Sequence, residues 1–274
     1  MSAAPVAAAI RMDFSGSSFT IRGQDTNIDG TNGPQNPVFG ISVGVQGNLA
    51  GVQTALANNQ QNTVTGWTGS TQNPTATTSG DSAVAFDTAL TQQAVTDFVN
   101  SIKGNADITI NSVKPASGNT PGYSIRNIGS TCSSNVNDSQ CWGTDTHPKI
   151  VYIKGNSTSD ISTEFSALDI SGNSSEGTGI LIVENGSLDI TGTFKWKGPI
   201  IVTGNNVKLR YHGGGNQEIY GSTIVNEVIP NGANNLEADI SGNAKMYYSS
   251  QALALVMNGL GGRRTMSLYS WQEQ

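Results

Sequence analysis

Charged side chains are scarce in this sequence. They make up 12% of the 274 residues, against about 25% in an average soluble domain. Uncharged polar and turn-forming residues, among them 33 glycines, fill the difference. A chain that stays soluble through Asn, Ser and Thr fits an extracellular β-rich protein better than a cytosolic enzyme.

Positive charge is the scarcer sign. Lysine and arginine number 14 against 20 acidic residues, so the net charge is −6 and the pI is near 4.8. Because nucleic-acid binding usually needs a basic surface, this composition disfavours DNA binding over an extended surface. A local basic patch stays open as an alternative, with a solvated surface as the simpler interpretation of the same residues, Lys195, Lys197, Arg210, Arg263 and Arg264.

Cysteine is almost absent. The only two, Cys132 and Cys141, lie in the stretch CSSNVNDSQC. Two cysteines make a poor zinc site, because structural zinc takes four protein ligands. We therefore predict a disulfide between them, which implies an oxidising compartment. Two ordinary free thiols are the alternative.

Long apolar runs and common catalytic motifs are also lacking. No stretch is long enough to span a membrane, and the apolar run from Ala3 to Ile10 is too short for a signal peptide. The sequence has no H-E-x-x-H, G-x-S-x-G, G-x-G-x-x-G or phosphate-binding loop, and it has two histidines. We predict that the chain is not an enzyme.

The pattern of the chain changes near residue 147. Residues 1–147 predict a mixed α/β region that contains an acidic loop and one long helix. That helix is predicted because apolar residues recur at helical spacing as far as Ile102. We expect it to begin at Asp81 or Ser82 and to stop at Gly104.

Residues 148–274 carry a repeat of short strands. Three strand types, exemplified by GILIVENG, SLDITGT and FKWKG, recur in the same order about every 20 residues, with Gly or Asn at the corners. This order predicts a β-solenoid of three short strands per rung, ended by a closing strand in RRTMSLYSWQEQ. A β-sandwich is the alternative, but it would not explain the repeated order of strand types.

Aligning the corner glycines places equivalent residues in columns. Apolar residues fill two inward columns, Leu168, Leu188, Leu209 and Ala238 in one and Ile170, Ile190, Tyr211 and Ile240 in the other. The outward column between them consists of Asp169, Asp189, Arg210 and Asp239. We interpret it as a surface ladder in which the arginine neutralises the aspartates, and a carboxylate active site is the alternative.

Aromatic residues recur on the third strand type, at Trp196, Tyr220, Tyr247 and Tyr248. They could stack on sugars or bases. The favoured interpretation is that they fill the core.

The stretch QDTNIDGTNGPQ contains D-x-N-x-D-G, the first half of an EF-hand calcium loop. Asp25, Asn27 and Asp29 could direct three oxygens at one cation, but position twelve is Asn36 rather than Glu. The sequence therefore disfavours a calcium sensor. A weak structural calcium site, with a dissociation constant on the order of 10⁻⁴–10⁻³ M, is predicted. The alternative is a turn in which these side chains cap backbone amides.

Several longer stretches resemble one family. FSGSSFTIRGQDTNIDGT, FGISV and CWGTDTHPKIVYIKG, followed by GILIVENGSLDITGTFKWKGPIIVTGN, IYGSTIVNE, SGNAKMYYSSQAL and SLYSWQE, are similar to PilX-type pilus-assembly proteins. These are large, minor-pilin-like components of bacterial type IV pilus systems. The resemblance covers roughly residues 13 to 271.

The resemblance implies a non-enzymatic protein of the cell surface with a β-solenoid region. It implies a position at or near a pilus tip, contact with other pilus subunits, and recognition of a surface glycan or DNA. Two alternatives follow from the sequence: a β-helix carbohydrate-active enzyme, and a pilus-borne receptor for DNA uptake.

Overall fold

The computed structural model describes residues 12–16, 18–56, 60–67, 83–115, 121–157, 165–229 and 238–261. Within these ranges the protein is mainly β with three α-helices, which confirms that part of the sequence prediction. No helix among them is long and apolar enough to cross a membrane. In chain order the strands are β1 (Met12–Ser15), β2 (Thr20–Arg22), β3 (Ile41–Val43), β4 (Val64–Thr65), β5 (Val84–Phe86), β6 (Ile108–Asn111), β7 (Ser124–Arg126), β8 (Lys149–Lys154), β9 (Ser166–Ser171), β10 (Ser175–Glu184), β11 (Ser187–Thr191), β12 (Phe194–Asn205), β13 (Leu209–His212), β14 (Asn216–Ile229), β15 (Ala238–Ser241) and β16 (Asn243–Tyr248).

These strands form two large sheets and one small one. The six-stranded sheet has the order β1-β15-β13-β11-β9-β7, and the eight-stranded sheet has the order β4-β2-β16-β14-β12-β10-β8-β6. The small sheet pairs β3 with β5. Within the described residues every named strand pair is parallel.

From β8 onward, consecutive strands alternate between the two large sheets. Each repeat has one short strand in the six-stranded sheet and one long strand in the eight-stranded sheet. The sequence predicted two strands where β12 is continuous, because Gly198 looks like a corner. Gly198 has φ +125°, but it and the residues on both sides of it remain paired with β14. The strand therefore bends at Gly198 without ending there.

The main core lies between the two large sheets. The predicted columns are present: Leu188 pairs with Leu168 and Leu209, and Leu209 pairs with Ala238. Leu188 is fully buried. The second column is also in register and equally buried, Ile170, Ile190, Tyr211 and Ile240. The alternation of apolar and polar residues therefore predicted correctly which face of each short strand points inward.

Strands from the two halves of the sequence share both large sheets. β1 pairs with β15 and β2 pairs with β16, so the first strands of the chain extend the last repeat. At the opposite end, β6 and β7 pair with β8 and β9. The predicted division at residue 147 remains a prediction, and it does not correspond to a break in either sheet.

The helices are α1 (Leu49–Ala55), α2 (Gln92–Ile102) and α3 (Ser250–Leu260). The long predicted helix is α2, but it begins ten residues or so later than expected, because Thr91 caps it and β5 precedes it. α3 was not predicted, since the apolar run there was read as part of the repeat. Asp81, Ser82 and the predicted closing strand lie outside the described residues.

A second core lies between the helices and the outer face of the eight-stranded sheet. Val95 and Val99 of α2 and Val256 of α3 pack there on Ile180 and Ile201. At the end of α2, Lys103 pairs with Glu184 of β10 at 2.8 Å. Because helices cover this part of the sheet, its strands are apolar on both faces.

Candidate functional site

The aspartate–arginine column lies on the outward face of the six-stranded sheet. Asp189 pairs in register with Asp169 on one side and with Arg210 on the other, and Arg210 pairs with Asp239. The Arg210 guanidinium lies 3.3 Å from a carboxylate oxygen of Asp189 and 3.3 Å from one of Asp239. One cation therefore neutralises the two aspartates beside it, which is the geometry of the predicted ladder.

Asp169 is the one aspartate of this column that is not a register neighbour of Arg210. Burial, and then the neighbouring charge of Asp189, raise the pKa of the Asp169 carboxyl above 3.8. A raised pKa means that the folded protein holds this proton more tightly than the unfolded chain. The resulting stabilisation is present at low pH and is lost as pH rises through the folded-state pKa.

Asp169→Asn is therefore expected to raise the melting temperature at pH 7, where the wild-type carboxylate is charged. The difference from wild type should shrink as pH falls below about 4, because both side chains are then neutral. Thermal melts between pH 3 and pH 7 measure this. A lower melting temperature for Asp169→Asn at pH 7 would contradict the electrostatic account.

The acidic loop engages its side chains in hydrogen bonds to protein groups. Asp25 is 3% exposed and accepts hydrogen bonds from the amide of Gln35, and from both the amide and the hydroxyl of Ser250 at 2.8 and 2.7 Å. Asp29 accepts from the amide and hydroxyl of Thr31, which lower its pKa. The Asn27 amide group donates to Thr31 and Asn32.

These contacts match the capped-turn alternative for the loop. The described residues contain no group of three or more His, Cys, Asp or Glu side chains placed to hold a metal ion. Calcium binding by Asp25, Asn27 and Asp29 stays a prediction. The role that the geometry gives to Asp25 is to attach the loop to the first turn of α3.

Asp25→Ala is expected to cost about 3 kcal/mol of unfolding free energy, because three donors lose a charged acceptor in a buried place. If the loop is the capped turn alone, the loss is the same with and without calcium. Chemical denaturation measures it, with Asp29→Ala as the matched control at an exposed carboxylate of the same loop. If 10 mM calcium instead raises the melting temperature of wild type, and both variants abolish that shift, the calcium site is supported.

Cys132 and Cys141 form the predicted disulfide. Directly after the loop that they close, the Trp142 carbonyl accepts a hydrogen bond from the amide of Thr178 in β10 at 3.3 Å. Lys149 donates to the Cys141 carbonyl at 2.6 Å. The disulfide therefore holds the segment that covers this end of the sheet. The oxidising compartment remains a prediction.

The four aromatic residues of the third strand type have different environments. Trp196 is fully buried between the sheets, 6.1 Å from the Phe194 ring. Tyr220 and Tyr247 lie on the opposite, outward face, with ring centroids 5.2 Å apart. Tyr248 is half-buried, and burial followed by the charge of Asp25 raises its pKa. The core interpretation holds for Trp196, whereas Tyr220 and Tyr247 face outward from the eight-stranded sheet, with Tyr220 buried and Tyr247 half-buried.

Cations flank this tyrosine pair. The Lys195 ammonium lies 5.4 Å from the centre of the Tyr220 ring, within cation–π range. Arg22 of β2 pairs in register with Tyr247 and so extends the same row. We call Lys195, Tyr220, Tyr247 and Arg22 the tyrosine–cation surface. Burial, and then the charge of Glu218, raise the pKa of Tyr220 to about 12, so its hydroxyl is neutral at physiological pH.

Ion pairs fix the neighbouring positions. Lys245 lies 3.2 Å from Glu218, beside the tyrosines. Lys197 lies 2.8 Å from Asp145 and 3.1 Å from Glu176. Burial opposes the charge on Lys197, but hydrogen bonds to these two carboxylates raise its pKa, so it stays protonated. This network holds the strands that carry the tyrosines in a fixed geometry.

The sequence-predicted basic patch is divided by the fold. Arg210 faces outward from the six-stranded sheet, whereas Lys195 and Lys197 face outward from the eight-stranded sheet. Arg263 and Arg264 lie outside the described residues. Arg22 was not considered, because its place beside Tyr247 depends on pairing between the start and the end of the chain. No local pattern indicates that pairing.

Comparison with known proteins identifies no relative: no protein-family model, no curated protein and no solved structure matches this chain. The resemblance to PilX-type pilus proteins therefore remains a prediction that rests on the motifs quoted above.

Proposed function

We propose that this chain is an extracellular structural and recognition component of a type IV pilus system, similar to a minor pilin and placed at or near the filament tip. The pilus assignment rests on the resemblance of the sequence. The disulfide is compatible with an oxidising, extracellular location. The observation that supports the recognition role is the tyrosine–cation surface, which lies on a sheet whose strands are held together by ion pairs.

We propose further that the repeat forms a β-solenoid. Alternation of consecutive strands between two parallel sheets supports this, as does the vertical stacking of equivalent residues. In such a fold each repeat buries its apolar residues against its neighbours, and the structure is stiff along its axis. Stiffness suits a protein that presents a surface at the end of a filament.

The proposed ligand of the tyrosine–cation surface is a surface glycan with negative charge. The half-buried ring of Tyr247 presents an apolar face to a sugar ring, while Arg22 and Lys195 offer donors to carboxylate or sulfate groups. DNA could use the same stacking and charges. The net charge of −6 makes DNA the less favoured ligand.

The pilus assignment is tested by locating the protein in cells that produce it. Filaments sheared from intact cells should contain the chain, and antibodies against it should label filament ends. Recovery only from the cytoplasm would reject the proposal. Recovery from the cell surface but not from filaments would reject the pilus assignment and leave the recognition role in place.

The salt dependence of binding distinguishes the two ligand classes, DNA and acidic glycans. Filter binding of duplex and single-stranded DNA at low and moderate ionic strength should give weak retention that salt removes. A panel of acidic polysaccharides should give binding that survives physiological salt, because stacking on Tyr247 is not screened. DNA retention that persists at physiological salt would favour the DNA receptor instead.

A β-helix carbohydrate-active enzyme is the second candidate. The observation that favours it is Asp169, whose pKa is raised beside the carboxylate of Asp189. Two neighbouring carboxyl groups, one of them with a raised pKa, form the kind of pair used in glycoside hydrolysis. Glycan cleavage by the wild type that is lost in Asp189→Asn would establish this candidate, whereas we expect no cleavage by either protein.

A further inference from the structure

A cavity of about 500 Å³ lies beside residues 221–228 of β14. Its walls come from three parts of the fold. Ile240 and Met246 belong to the two large sheets, Val95 belongs to α2, and Ile41 belongs to β3. The volume is within the range of roughly 300–1,000 Å³ that is typical of small-ligand sites. The cavity is therefore large enough to enclose a small organic molecule.

The wall of the cavity is mostly apolar, and the amide side chains of Asn226 and Gln92 in it are bonded to the protein. Asn226 donates to the Thr203 hydroxyl at 3.0 Å and to the Gln92 carbonyl at 3.3 Å. The Gln92 side chain donates to the Glu227 carbonyl at 2.6 Å. Because these amide groups already have protein partners, the surface left for a ligand there is apolar. Apolar cavities bind apolar molecules.

The two charged residues in the described part of the wall, Arg22 and Glu227, lie at different ends of the cavity. Arg22 pairs in register with Tyr247, which pairs with Tyr220 of β14. Glu227 lies seven residues beyond Tyr220 in the same strand, on the order of 20 Å at the usual rise per residue. The cavity therefore has a cationic end at Arg22 and an anionic end at Glu227.

The Arg22 end is suited to an anion. Arg22 is half-buried, and none of the ion pairs among the described residues involves it. The phenol group of Tyr247 lines the same end and is able to donate a hydrogen bond. A guanidinium group binds a carboxylate through two parallel hydrogen bonds. An acidic head group therefore fits beside Arg22, while the charge of Glu227 disfavours it at the other end.

We propose that this cavity binds an amphiphile with one acidic head group and a single acyl chain, either a fatty acid or a single-chain acidic glycolipid. The head group pairs with Arg22, and the acyl chain lies along residues 221–228. The inference is independent of the pilus assignment. It shares Arg22 and Tyr247 with the tyrosine–cation surface, but it requires the apolar cavity, which binding of a polysaccharide to that surface does not.

Calorimetric titration of the full chain with dodecanoate, octanoate and dodecyltrimethylammonium, each below its micelle concentration, tests the proposal. Burial of one methylene group strengthens binding roughly four-fold, so dodecanoate should bind on the order of 100-fold more tightly than octanoate. The cationic amphiphile should bind at least about 10-fold more weakly than dodecanoate, because Arg22 repels its head group. Dodecyl glucuronide that binds more tightly than dodecanoate would assign the site to a glycolipid, and the reverse order would assign it to a fatty acid.

Point variants distinguish the cavity from the tyrosine–cation surface. Val225→Trp should fill the cavity and abolish dodecanoate binding, whereas Val113→Trp, at an exposed valine, should leave it unchanged. Binding of acidic polysaccharide should survive Val225→Trp, so the two proposals can fail separately. Arg22→Gln should weaken dodecanoate binding at least about 10-fold. Arg126→Gln, at an exposed arginine of β7, is the matched control.

Three results would overturn the proposal. The first is no binding of dodecanoate by the wild type, or equal binding of dodecanoate and octanoate. The second is dodecanoate binding that neither Val225→Trp nor Arg22→Gln changes, because the ligand would then lie elsewhere. The third is binding that appears only after removal of residues 2–11, which would assign the cavity to the chain itself. The comparison of chain lengths uses the wild type alone, so it decides the question even if Val225→Trp fails to fold.

Discussion

Leu188→Asp is expected to unfold the central repeats. Leu188 is fully buried in a column with Leu168 on one side and Leu209 on the other. A carboxylate there has no partner and no water, which costs several kcal/mol. Because a domain is stable by only about 5–15 kcal/mol, a loss of this size removes much of the margin. Urea denaturation followed by far-ultraviolet circular dichroism measures it.

Thr191→Asp is the matched control, because it adds the same charge to the same strand at an outward, half-buried position. Its expected cost is within about 1 kcal/mol. Equal midpoints for Leu188→Asp and wild type would show that the inward face of β11 is assigned incorrectly. The register of the whole six-stranded sheet would then be in error.

Gly198→Ala is expected to produce the second large loss. Gly198 has φ +125° and lies opposite Gly221 at the bend of the eight-stranded sheet. An added Cβ would overlap the carbonyl oxygen of Gly179 in the adjacent strand. Backbone strain and overpacking together are expected to cost about 2–5 kcal/mol. The same denaturation assay measures the change.

Gly214→Ala is the control for this position. Gly214 lies in the corner before β14, has no heavy atom within 4 Å of an added Cβ and is not among the glycines with positive φ. It should change stability by less than about 1 kcal/mol. If both alanine variants are equally stable, the strands do not bend through a stacked glycine column, and the long strands are not continuous.

The columns of the six-stranded sheet could be predicted because they depend on local information. Period-2 alternation fixes which residues of β11 face inward, and the corner glycines fix how β9, β11, β13 and β15 align. Both signals are present in each repeat. The same reasoning placed Arg210 between Asp189 and Asp239, and the structure has ion pairs at both contacts.

Pairing between distant parts of the chain could not be predicted. β1 and β2 each have three or four residues, and nothing in them indicates that they join β15 and β16, more than 200 residues later. That pairing brings Arg22 to Tyr247. The sequence could have predicted that Tyr220 and Tyr247 face the opposite side of the sheet from Trp196, because neighbouring residues of a strand point to opposite sides.

α3 was missed for a different reason. Its sequence SQALALVMNGL follows directly on a strand of the repeat and carries apolar residues that suit either structure. The helix is fixed by tertiary contacts that the sequence does not display: Asp25 accepts hydrogen bonds from Ser250 at its first turn, and Val256 packs on the eight-stranded sheet. The cap from Ser249 to Ala252 was the one local signal.

Recognition by the tyrosine–cation surface is tested most directly by calorimetric titration of an acidic polysaccharide into wild type and Tyr247→Ala. The account predicts at least about 10-fold weaker binding by Tyr247→Ala, since stacking on one aromatic ring contributes about 1–3 kcal/mol. Val113→Ala, at an exposed valine beyond β6 at the opposite end of the sheet, should bind as wild type does. Binding by Tyr247→Ala that equals wild type, with melting temperatures unchanged, would contradict the account.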